Sequence, residues 1–204
     1  MRIDEKHKLL ISSLNGTADL SLPNTDNTAT LTLMPDTGFP CTADQHATVL
    51  ILGSMPSQKS LAADQYYAHP QNAFWPITGD LFNFDPHLNY GQRLEQLRKN
   101  HIALWDVVHQ CVRPGSMDRA IDMQSVITGN FGSFFNTHPH IRAIFFNGRK
   151  AEELYRRLVL PKLPIEFQQI KQFLLPSTSP ANADMSRRQK LEAWKIVKDT
   201  LETG

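Results

Sequence analysis

Long apolar runs are missing from this sequence, and with no window approaching about 18 uninterrupted hydrophobic residues, no membrane-spanning helix is expected. Cysteine is scarce. Cys41 and Cys111 stand far apart and outside any CxxC pattern, which argues against a structural zinc site or an iron–sulfur cluster and suits a reducing compartment. No charge dominates: 21 Lys and Arg against 20 Asp and Glu leave a formal net charge of +1, which argues against a bulk polyanion binder. The first residues, "MRIDEKHKLLISSLNG", carry charges but no long apolar segment ending in a small-residue cleavage site, so no secretory signal is expected and a cytoplasmic location is. GxxxxGK[ST] and GxSxG are absent, so neither a P-loop nor a nucleophile elbow is present.

What is there fits one globular domain: 204 residues, 41% hydrophobic and 20% charged. Residues 1–46 form a Thr-, Asn-, Asp- and Pro-rich preface in which "ATLTLM" could make one edge strand or a hairpin. Three compact apolar runs follow, "ATVLILG", "IRAIFFNG" and "KQFLLPSTSP", with a shorter one, "HIALWDVV". They are expected to be strands buried on both faces. Between them lie helical patterns: "NAFWPITGDLF" with Asn72 as N-cap and Pro76 in the first turn, "YGQRLEQLRKN", "RKAEELYRRL" and "DMSRRQKLEAWKIVKDTL". Strands alternating with helices predict an α/β fold in three layers, α/β/α, around a mostly parallel four-stranded sheet. In such sheets ligands bind beyond the carboxyl ends of the strands.

Three loops fall at those ends. "GSMPSQKS" offers backbone amides for an anion or a carbonyl oxygen. "QYYAHPQNAFWP" combines stacking faces on Tyr66 and Tyr67, an imidazole on His69 and a carboxamide on Asn72. "LPSTSPAN" is a hydroxyl-rich turn before a helix that begins with Arg187 and Arg188, suited to phosphates. Asn147, in "FFNGRKA", could read a base edge or simply make a turn before glycine. "CVRPGSMD" is expected to be a loop near the pocket, with Arg113 either on a phosphate or in a structural ion pair. Asp106 is a rival for catalysis or a structural hydrogen bond at a strand end, and Asp64 a further carboxylate to weigh.

In order, "GSMPS", "QYYAHPQNAFWP", "ALWDV", "RPGSMD" and "STSPAN" resemble the hypoxanthine-DNA glycosylase (DNA-deoxyinosine glycosylase) branch of the uracil-DNA glycosylase superfamily, over about residues 38–200. "AHPQNAFWPI" also resembles "AHPxNxFW" of the mismatch-specific uracil-DNA glycosylases, whose GINPG is here GSMPS. The resemblance sets a catalytic domain over 38–204 and leaves 1–37 as a variable preface. It implies a glycosylase acting on DNA with deaminated bases: hypoxanthine first, then uracil or xanthine. With no obvious Schiff-base lysine in the motif segments and no visible metal site, a monofunctional enzyme without cofactor or metal is expected, acting as a monomer.

The residue roles follow from the same resemblance. Met55 replaces an asparagine that holds the attacking water, so Asn72 takes that role, with His69 assisting. Tyr67 would stack on the extruded base. Gly53, Ser54, Met55, Ser57, Tyr66 and Asn147 would complete the base pocket. Ser177, Thr178, Ser179, Asn182, Arg187 and Arg113 would hold the DNA backbone. Ala181 falls where relatives carry a leucine wedge, so extrusion would rely on an already weak base pair. Two other readings remain open: a lesion-binding module of the same fold that does not hydrolyse, and a small-molecule hydrolase using Ser57 with His69.

Overall fold

A computed structural model describes residues 34–115 and 117–203. The stretch expected to supply an edge strand, "ATLTL", lies outside the described residues. Four parallel strands form the central sheet: β2 (Val49–Gly53), β3 (Ile102–Asp106), β6 (Ala143–Asn147) and β7 (Lys171–Leu175), in the order β3-β2-β6-β7. A small antiparallel sheet that the apolar runs did not announce joins β1 (Asp36–Thr37), β4 (Val108–Cys111) and β5 (Ile127–Thr128). Asp36 and Thr37, placed in the preface by the sequence reading, thus pair with β4.

Side-chain alternation along the parallel strands builds two cores. Leu50, Leu52, Ala103, Trp105, Ile144 and Phe146 face α4 (Phe131–Thr137) and α5 (Arg149–Leu158). Val49, Ile51, Ile102, Leu104, Ala143 and Phe145 face α2 (Phe74–Phe82), α3 (Tyr90–Lys99) and α7 (Arg187–Glu202). Each buried Leu or Ile contributes about 1.5–3 kcal/mol, so both layers are held by the same term. β7 departs from expectation: among the described residues it is an edge strand of the sheet, and Leu174 is exposed.

The helices start where their sequences say. Ser186 with Gln189, and Asn89 with Gln92, form capping boxes that satisfy the first free amides of α7 and α3. Helix α2 starts one residue later than expected, after Ala73. Asn72 still accepts from Phe74 N (3.0 Å), and Pro76 sits in the first turn, where its missing N–H costs nothing. Two short helices, α1 (Gln58–Ala63) and α6 (Ile165–Gln168), complete the set used below.

Candidate active site

The period-2 alternation that sorts the cores also sets the site. Asp106 lies opposite Gly53 in the β2–β3 register, and Asn147 ends β6. All three continue the row that faces α2 and α7, so the carboxyl ends of three adjacent strands present them on one side of the sheet. Above this row is a cavity of about 550 Å³, lined by the 53–60 turn, the 66–72 segment, the 117–119 loop and the 177–181 loop. That volume lies within the range of small-molecule sites, roughly 300–1,000 Å³.

Gly53 is the floor. A Cβ there would collide with Asp106 Oδ1 and stand 3.1 Å from Tyr67 Oη. Only glycine lets both side chains converge. Tyr67 adopts a left-handed backbone (φ 55°), a strained state for a non-glycine residue, and stacks on Phe74 at 4.1 Å between ring centroids. Its buried hydroxyl makes no hydrogen bond of ordinary geometry. Burial raises the phenol pKa; the nearby Asp106 adds to the shift and Asn147 opposes it. Asn72 uses Oδ1 on the α2 terminus, and its Nδ2 donates to no described residue. Gln71 N donates to His69 Nδ1 (3.1 Å), so the hydrogen of a neutral imidazole sits on Nε2.

Asp106 is 4% exposed, and burial pushes its carboxyl up to about 8; Asp118 adds to this and Arg113 opposes it. Asp118, raised chiefly by burial, accepts from Ser54 Oγ at 2.8 Å.

The family model of the Uracil DNA glycosylase superfamily matches residues 39–199. The chain belongs to this superfamily. It is 37% identical over 161 residues to a Methanosarcina acetivorans protein named Hypoxanthine DNA glycosylase, covering 78% of this chain and 96% of that one. A Methanosarcina barkeri protein of the same name is 37% identical over 121 residues, covering 59% and 75% respectively. A solution NMR structure of a Methanosarcina acetivorans protein, provisionally assigned as a uracil DNA glycosylase, superposes with a TM-score of 0.69. It has 35% sequence identity and covers 83% of this chain and 99% of that one.

In this member of the superfamily, most residues named from the sequence line one cavity: Gly53, Ser54, Met55, Ser57, Tyr66, Tyr67, His69, Asn72, Asn147, Ser177, Thr178 and Ser179. Several hold it rather than face a ligand. The Tyr66 ring is buried edge-on against Phe39, and Trp75 Nε1 donates to the Tyr66 carbonyl (3.0 Å), so Tyr66 is a core residue behind the wall. Ser57 Oγ caps α1 by accepting from Ser60 N, and no hydrogen bond joins it to His69, which removes the serine-hydrolase reading. Thr178 is 1% exposed; its amide and Oγ1 bind both ends of the Asn147 carboxamide (2.8 and 2.9 Å). Thr178 therefore anchors the loop instead of gripping DNA, and Asn147 keeps one N–H for other use.

Arg113 is corrected in the same way. Its side chain is 1% exposed, bonded by Nη2 to Asp36 Oδ2 (3.0 Å) and Pro56 O (2.7 Å), so it ties the turn to β1 and meets no phosphate. Arg187 and Asn182 lie outside the cavity: Arg187 pairs with Asp80, and Asn182 bonds the Ser177 carbonyl at 3.1 Å. Asp64 caps α1 in a left-handed conformation and is not a cavity residue.

Among the cavity residues that the sequence reading did not single out are Lys59, Met117, Asp118 and Arg119; the first three lie in segments it quoted. Lys59 and Arg119 are exposed and make no ion pair with described residues. Met117, 47% exposed on the rim, belongs to "RPGSMD", the segment expected near the pocket. Among the described residues no three His, Cys, Asp or Glu side chains cluster to hold a metal, and no helix is long and apolar enough to cross a membrane.

Proposed function

We propose that this protein excises hypoxanthine from DNA, hydrolysing the N-glycosidic bond of deoxyinosine with a water held by Asn72. The observation that carries the reading is one cavity that gathers an aromatic ring, a carboxamide with an unused Nδ2 and an imidazole with its hydrogen on Nε2. It is supported by superfamily membership and by relatives named Hypoxanthine DNA glycosylase.

The chain acts as a DNA N-glycosylase on a base taken out of the duplex. Tyr67 offers its ring to the extruded base, held from behind by Phe74. Asn72 orients a water toward C1′ of the sugar. As the C1′–N9 bond breaks, its electron pair goes to the purine and the sugar passes through an oxocarbenium-like state. The backbone amides of the 53–57 turn and His69 Nε2–H stabilise the charge that builds on the departing base. Uracil and xanthine share the lactam edge of hypoxanthine and are secondary substrates in this reading. The lysine that lines the cavity, Lys59, is exposed on its rim, and this reading assigns it to the DNA backbone and keeps the enzyme monofunctional, with no Schiff-base step.

On the DNA side, Ser177 Oγ accepts from Ser179 N and Ser179 Oγ from Ala181 N, both at 3.2 Å, which leaves both hydroxyl hydrogens to donate to phosphate. Lys59 and Arg119 supply the rim's free positive charge.

Single-turnover release of hypoxanthine from a labelled duplex tests the reading. The wild type is expected to release the base, and Asn72→Ala to lower the rate roughly a hundredfold or more, as loss of a positioned transition-state group does. Tight lesion binding without release would leave a binding module, a reading kept alive by Met55, whose thioether cannot hold the water as an asparagine does. Borohydride trapping of enzyme on DNA would overturn the monofunctional assignment.

A further inference from the structure

Asp106 is a buried acid that the protein leaves without a partner. It ends β3 on the row facing α2, and neither carboxyl oxygen hydrogen-bonds a described residue. The charged, titratable and polar groups around it are committed elsewhere or cannot help. Arg113 is bonded to Asp36 and Pro56 O; Asp118 accepts from Ser54; Asn147 holds Thr178; Tyr66 donates to Pro40 O. Tyr67 Oη converges on the same glycine and lies beside the Asn147 carboxamide, which opposes the rise in its pKa. Of the cavity's other titratable groups, His69 accepts from Gln71 at Nδ1, and Lys59 and Arg119 are exposed on the rim. A buried polar group left open costs roughly 1–3 kcal/mol, and an apolar residue would pack there at no such cost.

The geometry also distinguishes the two oxygens. Oδ2 is fully enclosed; Oδ1 is not, and it sits over Gly53 at the floor of the cavity, in the space that a Cβ there would take. A carboxyl hydrogen on enclosed Oδ2 would be a donor with no acceptor. On Oδ1 it can meet a ligand.

We propose that Asp106 reads the extruded base, donating a hydrogen bond from its carboxyl to the carbonyl oxygen that deamination creates. Adenine carries an amino group at that position, so donor would face donor. A site built around one hydrogen bond rejects the analogue that cannot make it far more strongly than a matter of size would. The proposal rests on the hypoxanthine reading of this site and adds to it the group that tells hypoxanthine from the adenine it derives from. Burial holds the carboxyl neutral at pH 7, since its pKa is raised to about 8.

The test is single-turnover release of hypoxanthine from duplex DNA between pH 6 and 9, with the wild type, Asp106→Asn and Asp106→Ala, and thermal melts at each pH to confirm folding. The wild-type rate is expected to be level to about pH 7.5 and about tenfold lower at pH 9 than at pH 7, as the donating form titrates away. Asp106→Asn keeps a donor that cannot ionise; it is expected to stay within about tenfold of wild type at pH 7 and to lose the limb that begins near pH 8. Asp106→Ala is expected to fall about a hundredfold at pH 7.

The lactam of hypoxanthine ionises in alkali too, and Asp106→Asn carries that contribution alone. The same alkaline fall in Asp106→Asn as in the wild type would overturn the proposal. So would a wild-type rate that rises through pH 8, which would make Asp106 a base, or an Asp106→Ala variant as fast as wild type. If the wild type released no hypoxanthine at any pH, the glycosylase reading itself would fail, and this proposal with it.

Discussion

In the 175–182 loop nearly every polar atom has a protein partner: Ser177 Oγ takes the Ser179 amide, Ser179 Oγ the Ala181 amide, Asn182 Nδ2 the Ser177 carbonyl, and Thr178 both ends of Asn147. At the strand-end floor and the 65–73 segment the pattern is reversed. Asp106 Oδ2 is buried without a hydrogen bond, Tyr67 Oη is buried with only a poorly aligned approach to Asn147, and Asn72 Nδ2 donates to no described residue. Both regions are rich in polar groups. The first uses most of them to fix its own shape, with the Ser177 and Ser179 hydroxyl hydrogens left over, and the second holds its groups in place by packing while leaving much of their hydrogen-bonding capacity unused. Buried polar groups in folded proteins are nearly always paired; Arg93 Nε, Arg113 Nε and Tyr155 Oη are exceptions away from the cavity, whereas Asp106 and Tyr67 line it, where a ligand can reach them.

Changes on the two sides should therefore differ in kind. The largest expected stability effect is a gain. The native chain holds the Asp106 proton up to about pH 8, whereas an unfolded carboxyl releases it near pH 4. Wild-type stability from this group is thus present below about pH 4 and is lost as pH rises through about 8. Asp106→Asn, which cannot ionise, should melt higher than wild type, with a gap that widens across that window and reaches on the order of several kcal/mol. Melting curves from pH 4 to 9 check this, and a constant gap would erase the contrast between the two regions.

Thr178→Val should go the other way. Removing Oγ1 leaves Asn147 Nδ2 without its acceptor in a buried place, costing about 1–3 kcal/mol in chemical denaturation. Its base-release rate should change less than that of Asn72→Ala. If Thr178→Val instead slowed base release as much as Asn72→Ala while leaving stability intact, the 175–182 loop would be reacting machinery and not frame.

The smallest effects belong to the rim. Arg187→Ala breaks an exposed ion pair with Asp80, worth at most about 1 kcal/mol, and should leave the salt dependence of DNA binding unchanged. Lys59→Ala and Arg119→Ala should each reduce the magnitude of the log–log salt slope by about 1. Titrations at several salt concentrations separate the three variants.

Much of the frame could be read from the chain. The apolar runs "ATVLILG", "IRAIFFNG" and "KQFLLPSTSP" hold strands, which end at Gly53, Asn147 and Leu175, the last well before the end of its run; the leucine and tryptophan spacing of 187–202 is a helix, and the motif segments converge because the carboxyl ends of parallel strands share one edge. Less legible were β1, β4 and β5, since two-residue strands carry no periodicity, and the exposed edge of β7, since an apolar run does not announce that it lacks a neighbour.

Local pattern also determined which residue types reach the cavity: Asn72, His69 and Tyr67 lie within six positions of one another, so one loop conformation carries all three. What only the tertiary structure decided is which polar groups have partners. Arg113 pairs with Asp36, 77 positions away, and Asn147 with Thr178, 31 positions away; no window of sequence contains either pair. Asp106 acquires its depth and its open oxygen from its register against Gly53, which lies 53 residues earlier in the chain and has no side chain to fill the space. Burial and pairing are properties of distances across the fold, and those distances set whether a carboxyl is an ion at the surface or a neutral donor at the floor of a cavity.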